Sequence, residues 1–369
     1  MKFSCEKYLL QAAINTASRC AAAKSPIPAL EGLLIQAGSD VRITGYDLKK
    51  GIYTSFPADV AEPGSIVLGA RLFGEIVRSL PDGVVTVDAK EGLNVRITCG
   101  AADFSIMGSD SGEYPELPSV DREKYIAVPQ NILSKMIRQT SFAVSDNESR
   151  PVYTGELFEV KDDSLTVVAV DGYRLALRRE AVEAADVEEC SFIVPGAALS
   201  DLEKLCGDTE DKVEITVGAK HISFVINETV LVSRRLEGEF LNYNKTVPSE
   251  FGITVQADRD ELMRAVSRVS LIIDERTKNP LRLCLEDDMI RILCTTGVGR
   301  GEDQCPVKGS GSLEIGFNNR YLLDALKAAP ADTLKLCFNN ASSPCVILPA
   351  DGSDRFSYMI LPVRLKAGV

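Results

Sequence analysis

One short motif recurs at a period of roughly 125 residues, and a chain that repeats itself on that scale is built from equivalent units rather than around a single core. Val67-Leu68-Gly69-Ala70-Arg71-Leu72-Phe73, Ile193-Val194-Pro195-Gly196-Ala197-Ala198-Leu199 and Ile315-Gly316-Phe317-Asn318-Asn319-Arg320-Tyr321 each set a short apolar strand directly before an amphipathic helix. The length, 369 residues, agrees with two or three domains of ordinary size. Three equal units suggest an arc or a ring, a scaffold that surrounds something rather than an enzyme with one pocket.

Each unit opens with a strand and a helix: Lys2 to Cys5 then Tyr8 to Arg19, Tyr125 to Val128 then Gln130 to Phe142, and Gly252 to Gln256 then Arg259 to Leu271. Helical spacing of Ile132, Leu133, Met136 and Ile137, and of Leu262, Val266 and Val269, carries the helix assignment. Hairpin-like pairs of β-branched, alternating segments follow, then the motif helices Arg71 to Leu80, Ala197 to Cys206 and Asn319 to Ala328, and at least two further strands. The expected fold class is α+β: three similar domains, each with two helices packed on antiparallel sheets. Proline and charge clusters at Tyr114-Pro115-Glu116-Leu117-Pro118 and Val247-Pro248-Ser249-Glu250 place the domains at residues 1–120, 121–249 and 250–369. Neither cluster reads as a flexible linker, so the units are expected to meet rigidly.

Composition is that of a globular protein, with 45% hydrophobic and 25% charged residues and a mean hydropathy of +0.02. The formal net charge of -12 repels nucleic acid and anionic membranes on average, so any DNA contact has to be local. No apolar run is long enough to span a bilayer, and Met1-Lys2-Phe3-Ser4-Cys5-Glu6 lacks the pattern of a signal peptide, which leads to a cytoplasmic expectation. The ten cysteines form no CxxC pair and sit mostly within apolar patterns, as reduced packing residues do.

Catalytic devices are sparse. The only histidine, His221, lies in a segment resembling a hairpin turn, away from any acid and nucleophile pattern. The acidic pairs Asp162-Asp163, Glu188-Glu189 and Asp287-Asp288 sit at turn positions, where two carboxylates are ordinarily solvated. The glycines of 297–311 match neither phosphate-binding pattern. Asp171-Gly172 between two apolar runs is a strong hairpin signal, but it leaves Tyr173, Arg174 and Leu175 unexplained. Basic residues recur on the helices (Arg71, Arg78, Lys135, Arg138, Lys204, Arg264, Arg268, Arg320, Lys327), interleaved with Glu75, Asp201, Glu203, Glu261 and Asp324. Such a weakly positive field suits loose phosphate contact, not sequence reading. Two other readings stand beside this one: a hydrolase or metal enzyme using the paired carboxylates, and an interaction scaffold unrelated to DNA.

Met1-Lys2-Phe3, Asp171-Gly172-Tyr173-Arg174-Leu175, Ile193-Val194-Pro195 and Tyr358-Met359-Ile360-Leu361-Pro362-Val363-Arg364-Leu365 resemble patterns of the bacterial DNA polymerase III beta subunit, the DNA sliding clamp, in the right order along the full chain. The resemblance implies a DNA clamp fold whose subunits close head to tail into a homodimeric ring, with no catalytic residue, no metal and no cofactor. Its implied partners are double-stranded DNA bound without sequence preference, the replicative polymerase, the clamp-loader complex, and translesion polymerases and repair proteins that dock through short peptide motifs.

The resemblance also implies positions. A partner-peptide pocket between the second and third domains would use Tyr153, Val170, Gly172, Tyr173, Arg174, Leu175, Leu241, Lys245, Thr246, Asn318, Tyr321, Pro344, Met359, Ile360, Leu361, Pro362, Val363, Arg364 and Leu365. Apolar walls would anchor leucine and aromatic side chains, while Arg174 and Arg364 would orient polar groups of the peptide. DNA contact would fall to Lys24, Arg71, Asn147, Arg150, Pro151, Val152 and Lys204. Leu271, Ile272 and Ile273 are the expected apolar residues of the dimer interface. The chain departs from the family pattern at Gly196-Ala197, Pro151-Val152, Leu241, Leu361 and Val363, and its tail Lys366-Ala367-Gly368-Val369 would lie near the pocket.

Overall fold

A computed structural model describes residues 1–120, 125–182, 189–274 and 279–365. The tail Lys366-Ala367-Gly368-Val369, and Glu188 of one acidic pair, lie outside the described residues. The first repeat runs β1 (Lys2–Glu6), α1 (Lys7–Ala17), β2 (Gly32–Ala37), β3 (Val41–Tyr46), β4 (Lys50–Phe56), β5 (Asp59–Glu62), β6 (Gly64–Gly69), α2 (Ala70–Ser79), β7 (Val84–Ala89), β8 (Asn94–Cys99) and β9 (Ala102–Met107). The second comprises β10 (Ile126–Pro129), α3 (Gln130–Thr140), β11 (Gly155–Lys161), β12 (Ser164–Val170), β13 (Arg174–Ala181), β14 (Cys190–Pro195), α4 (Gly196–Leu205), β15 (Lys212–Val217), β16 (His221–Ile226) and β17 (Thr229–Arg234). After the short α5 (Tyr243–Thr246), the third runs β18 (Ile253–Asp258), α6 (Arg259–Ser270), β19 (Leu281–Glu286), β20 (Met289–Thr296), β21 (Gly299–Ser310), β22 (Leu313–Phe317), α7 (Asn319–Ala328), β23 (Thr333–Phe338), β24 (Cys345–Pro349) and β25 (Phe356–Ile360). The second and third repeats share one element order, and the first differs by the added β5.

Local chemistry explains where the helices stop. Leu80 and Ala329 precede prolines and take extended backbone, because proline crowds the helical conformation of its predecessor, so α2 and α7 end one residue earlier. At the end of α3 the Thr140 hydroxyl bonds back to the carbonyls of Met136 and Ile137, and residues 141–143 tighten into a separate turn. The expectation of a helix to Phe142 therefore overshoots. Asp258 caps α6 by accepting from the Glu261 amide at 2.8 Å. Burial follows helical spacing: Phe73, Ile76 and Val77 in α2, Leu262, Ala265, Val266 and Val269 in α6, and Leu322, Ala325 and Leu326 in α7.

The strands do not respect the repeats. Two compact units form, residues 1–120, 125–133 and 197–235, and residues 134–182, 189–196, 236–274 and 279–365. The first unit holds a five-stranded sheet, β5-β1-β7-β8-β9, and an eight-stranded sheet, β10-β15-β16-β17-β4-β3-β2-β6. The second unit holds one twelve-stranded sheet, β14-β11-β12-β13-β25-β24-β23-β18-β21-β20-β19-β22. The second repeat is thus divided, and its strands continue sheets begun by the first and third repeats. Antiparallel pairing of β4 with β17 and of β13 with β25 makes these joints, and it satisfies edges that an isolated repeat would leave open. One core gathers Leu10, Ile14, Phe73 and Val77 beneath α1 and α2, and another gathers Leu262, Val266, Leu322 and Leu326 beneath α6 and α7.

Candidate functional site

The hairpin between β12 and β13 is the turn expected from Asp171-Gly172. One Asp171 carboxylate oxygen accepts from the amides of Tyr173 (2.9 Å) and Arg174 (3.0 Å), and Gly172 takes the positive φ of 93° that glycine tolerates. This turn projects Tyr173, which is 62% exposed, and folds Arg174 inward. The Arg174 guanidinium donates to Asp171 at 2.9 Å and to Asp324 of α7 at 2.7 Å. It lies over the Tyr321 ring at 4.4 Å, and Tyr321 stacks on Tyr173 with ring centres 6.2 Å apart. Burial, with Asp171 nearby, raises the Tyr321 phenol above its ordinary range. Arg174 is therefore a tie in the wall, already engaged on both sides, rather than a free guanidinium waiting for a peptide.

Val170, Leu175, Tyr243, Val346 and Met359 belong to one buried apolar cluster, with the partly buried Val152, Tyr153, Phe240, Leu241 and Val247 packed against it. Tyr153 meets Phe240 edge to face at 5.5 Å. The segment after β25 runs along the same side. The Leu361 amide donates to the Tyr173 carbonyl, and the Val363 amide to the Gly316 carbonyl, each at 2.8 Å. Gly316 permits this approach, since a side chain there would come within 2.7 Å of the Val363 carbonyl oxygen and 2.6 Å of the Leu365 side chain. Leu361 and Val363 stay more than a third exposed, and Arg364 is exposed with no ion pair among the described residues.

Not every expected pocket residue belongs to this cluster. Ile360 is fully buried in the other core of its unit, because strand alternation points Met359 and Ile360 to opposite faces. Asn318 caps α7, accepting from the amides of Arg320 and Tyr321, so its side-chain oxygen is already engaged. Lys245 is exposed, while Thr246 and Pro344 are half-buried. Sequence reasoning missed Asp324, Phe240 and Val247. The first was legible as the acid in the sixth position of its helix, the place Asp201 occupies in α4.

The positions expected to touch DNA are scattered over exposed surface. Lys24 and Arg150 are exposed, Arg71 pairs with Glu75 at 3.1 Å, and Lys204 reaches Ser200 at 3.2 Å. Asn147 organises its own loop, accepting from the Ser149 amide at 3.0 Å, and exposed Pro151 opens the next turn. Val152 is the exception, since it packs into the groove cluster rather than facing solvent. Asp201, read as one acid of a helix face, is instead buried against Lys50 of β4. His221 opens β16 after a tight turn, and burial followed by the charges of Arg234 and Lys220 lowers its imidazole pKa. Asp162, Asp163 and Asp288 occupy left-handed turn positions, and among the described residues no cluster of histidine, cysteine and acidic side chains could hold a metal ion. All ten cysteines are free. No described helix is long and apolar enough to cross a membrane.

Three models of the DNA polymerase III beta subunit match the chain in sequence order: the N-terminal domain over residues 1–118, the central domain over 127–242 and the C-terminal domain over 244–364. The chain belongs to the DNA polymerase III beta subunit family. Beta sliding clamps of Staphylococcus aureus and Staphylococcus epidermidis are 32% and 30% identical to it, each over 99% of both chains. The fold is similar to the DNA polymerase sliding clamp of Bacillus subtilis, with a TM-score of 0.96 at 29% identity over 99% of this chain and all of that one. A beta subunit structure from Eubacterium rectale gives 0.95 at 30% identity over the same shares. As a member of this family the chain is a DNA sliding clamp, a processivity component and not a catalyst. Within this clamp, Leu271 caps α6 at 84% exposure, while Ile272 and Ile273 are half-buried against the core beneath it.

Proposed function

We propose that two copies of this clamp close head to tail around duplex DNA in the cytoplasm, are opened by a clamp loader, and hold polymerases and repair proteins through the groove beside Tyr173. The three consecutive domain matches along the chain carry this reading. The domains are taken as residues 1–120, 121–249 and 250–369, consistent with the repeated element order. Encirclement makes strong DNA contact unnecessary. A chain with a net charge of -12 and scattered cations such as Lys24 and Arg150 binds phosphates weakly and without sequence preference, which favours sliding. A polymerase tethered to the ring meets the primer end at a high effective concentration, so processivity rises with no chemistry by the clamp.

The groove has the makings of a peptide site: an apolar floor, exposed Tyr173, Leu361 and Val363, and a wall stiffened by the Arg174 ties. Rigid apolar anchoring points favour short motifs carrying leucine or aromatic side chains. Loading onto nicked circular DNA with the cognate loader and ATP, followed by cutting the circle, tests the whole reading. Release on linearisation is expected. Equal retention on linear and circular DNA would mean ordinary affinity and would overturn encirclement.

A further inference from the structure

We propose that Arg300 of one copy and Glu75 of a second copy form the third example of a charge latch that the chain builds twice within itself. This rests on the head-to-tail reading above. Its basis is a register that the repeats keep: Asp47-Leu48-Lys49-Lys50 before β4, Asp171-Gly172-Tyr173-Arg174 before β13, and Gly297-Val298-Gly299-Arg300 at the start of β21. The first two turns are alike in detail. The Asp47 carboxylate accepts from the amides of Lys49 and Lys50 at 2.8 Å, as Asp171 does from Tyr173 and Arg174. In the third, the Thr296 hydroxyl accepts from the Val298 amide.

The partner acids are as regular. Asp201 is the sixth residue of α4 and Asp324 the sixth of α7; Glu75 is the sixth of α2. Lys50 of the first repeat pairs with Asp201 of the second, and Arg174 of the second pairs with Asp324 of the third at 2.7 Å. The next step in the series runs from Arg300 of the third repeat to Glu75 of the first. Side-chain exposure marks that step as open. Lys50 and Arg174 are 16% and 9% exposed against 63% for Arg300, and Asp201 and Asp324 are 11% and 25% exposed against 53% for Glu75. Among the described residues both open side chains pair only locally, Arg300 with Glu302 and Glu75 with Arg71, in solvated pairs that contribute little.

The strands show the same vacancy. In each internal joint the strand that follows the cation pairs with the last strand of the next repeat, β4 with β17 and β13 with β25. Among the described residues, β21 pairs over 299–306 only with β20, and β9, the last strand of the first repeat, is the edge of its sheet with Phe104 and Met107 exposed. Two free edges and two complementary charges therefore wait at the same step of the pattern.

Opposite charges on the two ends make this testable by swapping. Arg300→Glu and Glu75→Arg, each alone in the full chain, are expected to raise the dimer dissociation constant by about thirtyfold or more, read by sedimentation of labelled protein across dilution. At a dilution where all the proteins are monomeric, their thermal unfolding should match that of the unaltered chain, since both side chains are exposed. Mixing the two variants should restore dimerisation, because a head-to-tail pair then carries one reversed and one original latch. The double variant should dimerise with itself. Unchanged dissociation constants for the single variants, or no recovery on mixing, would overturn the latch and leave the dimer standing. An unaltered chain that stays monomeric at every concentration would overturn the dimer itself, and the latch with it.

Discussion

The joint between β4 and β17 and the joint between β13 and β25 are built alike and finished differently. Each has an aspartate turn, a cation that follows it and a helix acid that receives it. Over the first, the segment 111–120 lies across the sheet: Leu117 rests on Gly51, and the Tyr114 hydroxyl donates to the Thr44 carbonyl. A cleft of about 740 Å³ remains there, lined by Leu34, Tyr53, Val230 and Val232 together with Gln36, Arg42 and Glu116. At the second, a buried apolar cluster that includes Val170, Leu175 and Met359 adjoins exposed Tyr173, Leu361 and Val363. The internal repeat thus supplies the same mechanical joint twice, and the segment that covers the first has no counterpart in the proposed peptide site at the second. Charged and polar groups such as Arg42 and Glu116 interrupt the apolar lining of the first cleft, whereas the cluster at the second joint is wholly apolar and borders exposed Tyr173.

Removing the cation of each joint should separate mechanics from docking most strongly. Lys50→Ala and Arg174→Ala each strand mostly buried carboxylate and should each destabilise the fold by about 3 kcal/mol in denaturant unfolding. Only Arg174→Ala should also weaken an apolar partner peptide, by roughly tenfold to a hundredfold in calorimetry. A smaller contrast comes from the covers. Tyr173→Ala should leave stability within about 0.5 kcal/mol and still reduce peptide affinity about tenfold. Leu117→Ala should lower stability by about 1 kcal/mol with no effect on the peptide. Smaller again, Lys24→Ala and Arg150→Ala should each reduce the salt slope of DNA binding by about one, with no change in sequence preference.

The finest effect is in pH. Burial pushes the Cys5 and Cys20 thiols from 9.0 up to about 12. A raised thiol pKa leaves its stability contribution whole below pH 9 and removes it as the pH climbs towards 12. For Lys50, burial is the largest single influence and opposes the charge, but the Asp201 hydrogen bond together with the nearby charges of Cys20, Asp201 and Asp47 outweighs it, and its pKa also rises. That contribution likewise fades only at high pH, so the unfolding midpoint should hold near neutrality and fall above pH 9. Thiol-reactive dye should meanwhile miss both cysteines at pH 8 until the chain is unfolded.

Elements with strong periodicity were legible in the chain. The helix Asn319–Ala328 and the strand Gly32–Ala37 lie where apolar spacing and turn residues place them. The Asp171-Gly172 turn was equally plain, because its chemistry is local. What escaped the sequence depends on partners far along the chain. Asp201 looks like any solvated helix acid until Lys50, 151 residues away, is brought against it. Val152 reads as part of an exposed loop, yet Gly238 and the groove cluster cover it. Ile360 sits in the right segment but on the wrong face, which a single step of strand register decides. The division of the second repeat between two sheets has no local signature, since edge strands do not name their partners.

Isothermal titration of the full chain with a short peptide carrying a leucine and an aromatic anchor tests the contrast between the two joints most directly. One peptide per chain is predicted, with binding lost in a Tyr173→Ala, Leu361→Asp variant and retained in Leu117→Asp. Two peptides per chain, or binding abolished by Leu117→Asp and untouched at Tyr173 and Leu361, would contradict the account.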